Sequence, residues 1–95
     1  MDTVKIYEII DKELAQGKTL EEIYVKHYNA WIAEHEKPRD KQDFEKADEC
    51  LEIKDVIAAL ITSDVLQEKG YIRVQGKKFS YWRKMKGGKT YDSTD

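Results

Sequence analysis

Between Lys69 and Tyr91 the chain carries eight Lys/Arg and no Asp or Glu. Arg73, Lys77, Lys78, Arg83, Lys84 and Lys86 lie in this segment, interleaved with Tyr71, Tyr81 and Trp82. Cations in such density can replace the counterions condensed on nucleic-acid phosphates, and exposed aromatic rings can stack on bases. Arg73, Lys77, Lys78, Trp82, Arg83, Lys84 and Lys86 are therefore the candidate nucleic-acid-binding residues. Two plainer roles compete. Lysines on a sheet edge discourage strand-on-strand aggregation, and the cations could pair with acidic helices. Those acids are plentiful: residues 1–68 hold nine Lys/Arg against seventeen Asp/Glu, although the whole chain carries only −2. Glu8, Asp11, Glu13, Glu21, Glu22, Glu34 and Glu36, with further acids over 40–48, could face a basic protein partner. They could equally form a solvated surface laced with pairs such as Glu8–Lys12 and Glu22–Lys26.

Other reactive side chains are few. His27 and His35 stand eight residues apart, more than two helical turns, without the HExxH or CxxC spacing that a zinc site uses. His27 reads as the edge of a core. Cys50 sits among Asp48, Glu49 and Glu52, which disfavour its thiolate, and reads as a small buried residue. No Ser–His–Asp set or phosphate-cradling glycine loop can be assembled. The expectation is a protein without catalytic residues, metal or cofactor.

With 95 residues the chain fits a single domain, and its 38% charged residues imply a heavily solvated surface. A single cysteine points to a reducing compartment rather than a disulfide-stapled secreted domain. The N-terminus lacks a basic segment followed by an apolar run, and no stretch reaches the roughly 20 apolar residues that span a bilayer. A cytoplasmic protein without membrane contact is expected.

Four helical segments should position these groups. The first covers about Thr3–Gln16, with Ile6, Ile10 and Leu14 as its stripe, flanked by Val4, Tyr7 and Ile9; Asp2 or Thr3 caps it and Gly17 ends it. The second opens on the capping box Thr19–Glu22 and places Leu20, Ile23, Tyr24, His27 and Trp31 on one face. Pro38 stops it, leaving 34–40 as a charged connector. Asp40 can cap a third helix through Cys50, with Phe44, Ala47 and Leu51 inward. A fourth runs from about Lys54 to Lys69 over Ile53, Val56, Ile57, Leu60 and Ile61, with Gly70 as its cap. Nothing between 50 and 54 breaks a helix, so 40–69 is one helix or two, with a weak point at Thr62-Ser63-Asp64, whose side chains compete for backbone hydrogen bonds.

The apolar period then changes to two. Residues 71–74 and 79–82 flank Gln75-Gly76-Lys77-Lys78, a hairpin with Gly76 expected at positive φ. Ile72, Val74, Phe79 and Tyr81 share one face, and Tyr71, Arg73, Lys78, Ser80 and Trp82 the other. The first set is expected to pack on the helices. Residues 86–95 are expected to be a flexible polar tail.

A helix leading through Leu66-Gln67-Glu68-Lys69-Gly70-Tyr71-Ile72 into a two-stranded hairpin resembles the back half of a winged-helix domain, over residues 40–84. The resemblance implies that 40–50 and 54–69 correspond to the two helices of a helix-turn-helix, joined at Leu51–Lys54, with the hairpin as wing. Glu52 stands where glycine is common, and Lys54 and Lys69 are the only cations of the would-be recognition helix. The expected protein is thus mostly α with a C-terminal β-hairpin, a winged-helix-like α+β single domain over residues 1–85. Its expected role is that of a regulatory module binding DNA or RNA through residues 69–89. The alternative is a protein-binding adaptor or inhibitor acting through the acidic helices.

Overall fold

A computed structural model describes residues 2–85. The candidate cation Lys86 and the expected flexible tail over 86–95 lie outside the described residues. The element order is α1 (Thr3–Ala15), α2 (Leu20–Glu36), a 3-10 turn (Arg39–Lys41), α3 (Phe44–Ala58), α4 (Ser63–Glu68), β1 (Tyr71–Gln75) and β2 (Ser80–Lys84). The chain is mostly helical and ends its described part in a two-stranded antiparallel hairpin. No helix of the described residues is long and apolar enough to cross a membrane.

Local chemistry accounts for most boundaries. Asp2 caps α1 by accepting from the Val4 amide at 3.2 Å. At α2 the capping box closes in both directions, Thr19 Oγ1 accepting from Glu22 N at 3.2 Å and Glu22 accepting from Thr19 N at 2.9 Å. Gly17 and Gly70 follow α1 and α4 at φ +93° and +92°, the left-handed conformation that closes a helix end.

Three boundaries differ from expectation. Pro38 starts the 3-10 turn, so Asp40 is spent inside it and Asp43 caps α3 instead, accepting from Lys46 N at 3.1 Å. Residues 51–54 lie within α3, because nothing there interrupts a helix; the turn placed at Leu51–Lys54 is absent. The break falls instead after Ala58, where Thr62 accepts from Val65 N at 3.3 Å and starts the six-residue α4. The weak point at 62–64 is thus a cap.

The core joins Ile6 and Ile10 of α1, Ile23 of α2, Ile53 and Ile57 of α3, and Ile61, Leu66, Tyr71 and Trp82. Leu14, Phe44 and Leu60, all expected inside, are 40%, 56% and 67% exposed. Leu60 stands beyond the end of α3, so its place on the helical wheel no longer sets its direction. Ile61 is buried in its stead.

The hairpin pairs Tyr71 with Lys84, Arg73 with Trp82 and Gln75 with Ser80. The expected parity holds, but the inward face is the opposite one. Tyr71 and Trp82 are 5% and 2% exposed, whereas Phe79 is 43% exposed and Ile72, Val74 and Tyr81 are half-buried. Asn29 bonds the backbone of Trp82 and so docks β2 on α2 by the face that carries Tyr71 and Trp82. Gly76 does not take a positive φ. It is needed for close approach: a Cβ there would meet Phe79 O at 2.7 Å and Glu36 Oε2 at 2.8 Å.

Candidate nucleic-acid interface

Helix α2 is the spine on which the basic hairpin is mounted. Asn29 donates from Nδ2 to Trp82 O at 2.7 Å, and its Oδ1 accepts from Trp82 N at 2.9 Å. Trp82 therefore turns its backbone polar groups away from β1, and an asparagine satisfies the outer edge of β2 where another strand would otherwise dock. At the tip, Glu36 Oε2 accepts from the amides of Lys78 and Phe79, both at 3.2 Å. Those bonds hold the Glu36 carboxyl below its ordinary value. Hairpin base and tip are thus fixed by the middle and the end of one helix.

The structure divides the candidate residues into two groups. Trp82 is core, so its ring is closed to bases; the expectation of a stacking tryptophan is corrected. Its indole Nε1 is buried without a hydrogen-bond partner among the described residues. Arg73 is a packing residue as much as a surface cation. Its guanidinium lies 5.2 Å from the Tyr28 ring and 5.1 Å from the Trp82 ring, and donates to Tyr28 OH at 2.9 Å and Ser80 Oγ at 2.6 Å. Lys84 Nζ lies 5.5 Å from the Tyr71 ring. Lys77, Lys78 and Arg83 are exposed. Among the described residues none of Arg73, Lys77, Lys78, Arg83 and Lys84 forms an ion pair with a carboxylate. No direct ion pair holds these side chains, although the charge of Lys77 contributes to lowering the Glu36 carboxyl of α2.

Beside the hairpin, Tyr24, Tyr28, Trp31 and His35 form a continuous half-buried run along α2, with ring centroids 5.8, 5.7 and 5.5 Å apart. Lys54 reaches across from α3 to 4.8 Å from the Trp31 ring. The run ends at a cleft of about 360 Å³ lined by His35, Arg39, Gln42, Phe44 and Lys78.

The acidic face is less uniform than its sequence suggests. Glu13 and Glu34 are buried, at 5% and 2% exposure, and are structural. Glu13 accepts from Lys18 and Lys26, both at 3.0 Å, and lies 2.7 Å from His27 Nε2. Burial pushes the Glu13 carboxyl up, but the bonds from His27, Lys26 and Lys18 outweigh it and hold it at about 2. His27 is accordingly a core-edge residue, joining α2 to α1. Glu34 accepts from Asp43 N at 2.8 Å and from Lys37 at 3.0 Å, which lowers its carboxyl and ties the start of α3 to α2. Neither expected i,i+4 pair organises the surface: Glu22 closes the capping box and Lys26 reaches Glu13. Some of the other acids line a second cleft, about 580 Å³, between the start of α1 and the first half of α3, formed by Asp2, Lys5, Glu45, Asp48, Glu49 and Glu52.

Cys50 is buried, and burial followed by the charge of Glu49 pushes its thiol up, away from reactivity. Among the described residues no three His, Cys, Asp or Glu side chains are placed to hold a metal ion. Asn29 was not legible as a site-forming residue, and Glu36 only as one acid of the helical face, since each acts on a partner distant in sequence. Glu13 left a trace, as an acid one position from Leu14 and near the apolar stripe of α1. Compared with protein families, with curated proteins and with solved structures, the chain matches none.

Proposed function

We propose that this chain is a non-enzymatic nucleic-acid-binding or regulatory module that presents the cations of its C-terminal hairpin to phosphates in a reducing, cytoplasmic setting. One observation carries the reading. Lys77, Lys78 and Arg83 stand exposed, without a direct ion pair among the described residues, on a hairpin that α2 bonds at Trp82 and at the tip. Cations on a preorganised scaffold meet phosphates without first breaking internal pairs. Lys84 and Lys86 extend the set along the chain, and Arg73 braces it from beneath. The winged-helix likeness belongs to the same proposal in a reduced form: the hairpin acts as a wing, and no helix is assigned to the major groove, since α4 is short and carries Asp64 and Glu68.

The test is a salt titration of binding to random-sequence nucleic acid. With about four phosphate contacts on duplex DNA, the log–log slope should be near −3.6. The triple variant Lys77→Glu, Lys78→Glu, Arg83→Glu should abolish binding while leaving thermal unfolding unchanged. Arg73 is left intact because its replacement would disturb packing. A wild-type protein that fails to bind at low salt would defeat the proposal.

A second reading has its own observation. The cleft lined by Asp2, Glu45, Asp48, Glu49 and Glu52 suits a basic segment of another protein. Recovery of a partner whose binding is lost on reversing Glu45 and Asp48, with the hairpin reversal harmless, would favour an adaptor or inhibitor.

A further inference from the structure

We infer that the cleft at the end of α2 takes one unpaired nucleotide, so that the preferred ligand is single-stranded nucleic acid rather than duplex. The inference rests on the nucleic-acid reading above and specifies its substrate. The cleft is built from three separate stretches: His35 from α2, Arg39 and Gln42 from the turn after it, and Phe44 from the first turn of α3, with Lys78 from the hairpin tip opposite. Its volume, about 360 Å³, is within the range of small-ligand pockets.

Arg39 and Lys78 are both exposed, and neither side chain pairs with a carboxylate or hydrogen-bond partner among the described residues. Two cations gathered at one cleft repel each other, and a phosphate between them relieves that repulsion. Two acids at the end of α2 are held by other bonds. Glu36 accepts from the amides of Lys78 and Phe79, and Glu34 from Asp43 N and Lys37. Both therefore act as supports of the cleft.

The other lining groups fit a base. Phe44 is 56% exposed, so its ring offers a face to solvent that no core contact explains. Stacking on such a ring is tolerant of sequence, because every base has a π-face. Gln42 donates from Nε2 to His35 O at 3.3 Å and to Lys37 O at 2.9 Å, which fixes its amide and leaves Oε1 as an acceptor for a base amino group. His35 packs edge-on against Trp31 at 5.5 Å, so occupancy of the cleft is coupled to an indole that reports by fluorescence. A duplex cannot deliver this ligand, because its bases are paired and stacked and would have to be extruded first.

The experiment compares a fluorescein-labelled 12-nucleotide single strand with the 12-base-pair duplex of the same sequence, by anisotropy on the full chain at low salt. The single strand should bind tighter and quench or shift Trp31 emission. Phe44→Ala should weaken single-strand binding roughly 5- to 100-fold, Phe44→Leu nearly as much, and Phe44→Tyr should restore it. Lys78→Glu should weaken it as well. Because Phe44 is largely exposed, a thermal melt unchanged from wild type separates a lost contact from a lost fold. Equal or tighter duplex binding, with Phe44→Ala silent, would overturn this inference and leave the basic hairpin standing. No binding to either ligand would overturn both.

Discussion

Helix α2 holds two neighbours by different chemistry. At its first half it meets α1 through side chains alone, with Glu13 gathering His27, Lys18 and Lys26. Further along it meets the hairpin through side chain to backbone bonds, from Asn29 to Trp82 and from Glu36 to Lys78 and Phe79. The first arrangement fastens a helix whose own backbone is already satisfied. The second completes a strand edge and a loop whose amides had no internal partner. Side-chain clusters hold two finished elements together, whereas side chain to backbone bonds decide where an unfinished element can sit. A hairpin that presents a charged surface needs the second kind.

The contrast can be broken most severely at Trp82. Trp82→Ala should destabilise the protein by roughly 3–5 kcal/mol, as large aromatics in cores do, and urea or thermal unfolding measures it. A cost near that of a surface substitution would mean the hairpin is not docked by this face. Asn29→Ala removes two bonds and leaves the amide and carbonyl of Trp82 unpaired, for about 2 kcal/mol. Hydrogen exchange should then rise first at the Trp82 amide, with α1 unaffected.

Glu13→Gln should cost a similar amount, about 2 kcal/mol, since the charge-assisted bonds from Lys18, Lys26 and His27 are weakened together. It sharpens the comparison through pH. The Glu13 carboxyl is held at about 2 in the fold against an ordinary value of 4.5. A depressed carboxyl contributes stability that is complete above the unfolded value and fades as pH falls from about 4.5 through 2. Acid unfolding should therefore steepen in that window in the wild type and flatten in Glu13→Gln. Asn29→Ala should leave the acid slope as it is, because an amide does not titrate. Glu34 and Glu36 are lowered too, so some slope should survive in every variant. Smallest of all, Leu60→Ala should stay within about 0.5 kcal/mol, the range of exposed positions. A loss of several kcal/mol would put Leu60 back in the core.

Much of the architecture was legible because its signals are local. The Thr19–Glu22 box, Gly17 and Gly70 at helix ends, and the change of period after Gly70 each involve residues a few positions apart. Errors began where a choice depended on distant partners. Asp40 and Asp43 are both good caps, and the 3-10 turn after Pro38 selected the second. Leu60 continued the apolar period of α3 beyond the helix that gave the period meaning. The candidate site was legible as a cluster of cations but not as a surface. Trp82 looked like a binding residue because it lies among lysines, and the core claimed it, while Arg73 is exposed yet stacked on Tyr28 and Trp82.

By itself the amino-acid sequence determined the first two helices, a helical region within 40–69, a hairpin after Gly70, and which hairpin residues share a face. It also determined that positive charge is concentrated at that hairpin. Alternation in a strand is a two-fold pattern, so it sorts side chains into two sets without saying which set turns inward. Both sets here contain large apolar groups: Ile72, Val74 and Tyr81 in one, Tyr71 and Trp82 in the other. Only the tertiary structure decided between them. Asn29 lies where it can satisfy the outer edge of β2 at Trp82, and the larger aromatic pair then fills the space beneath. The same docking swings Lys78 to the end of α2 beside Arg39, placing together two cations that the sequence holds far apart.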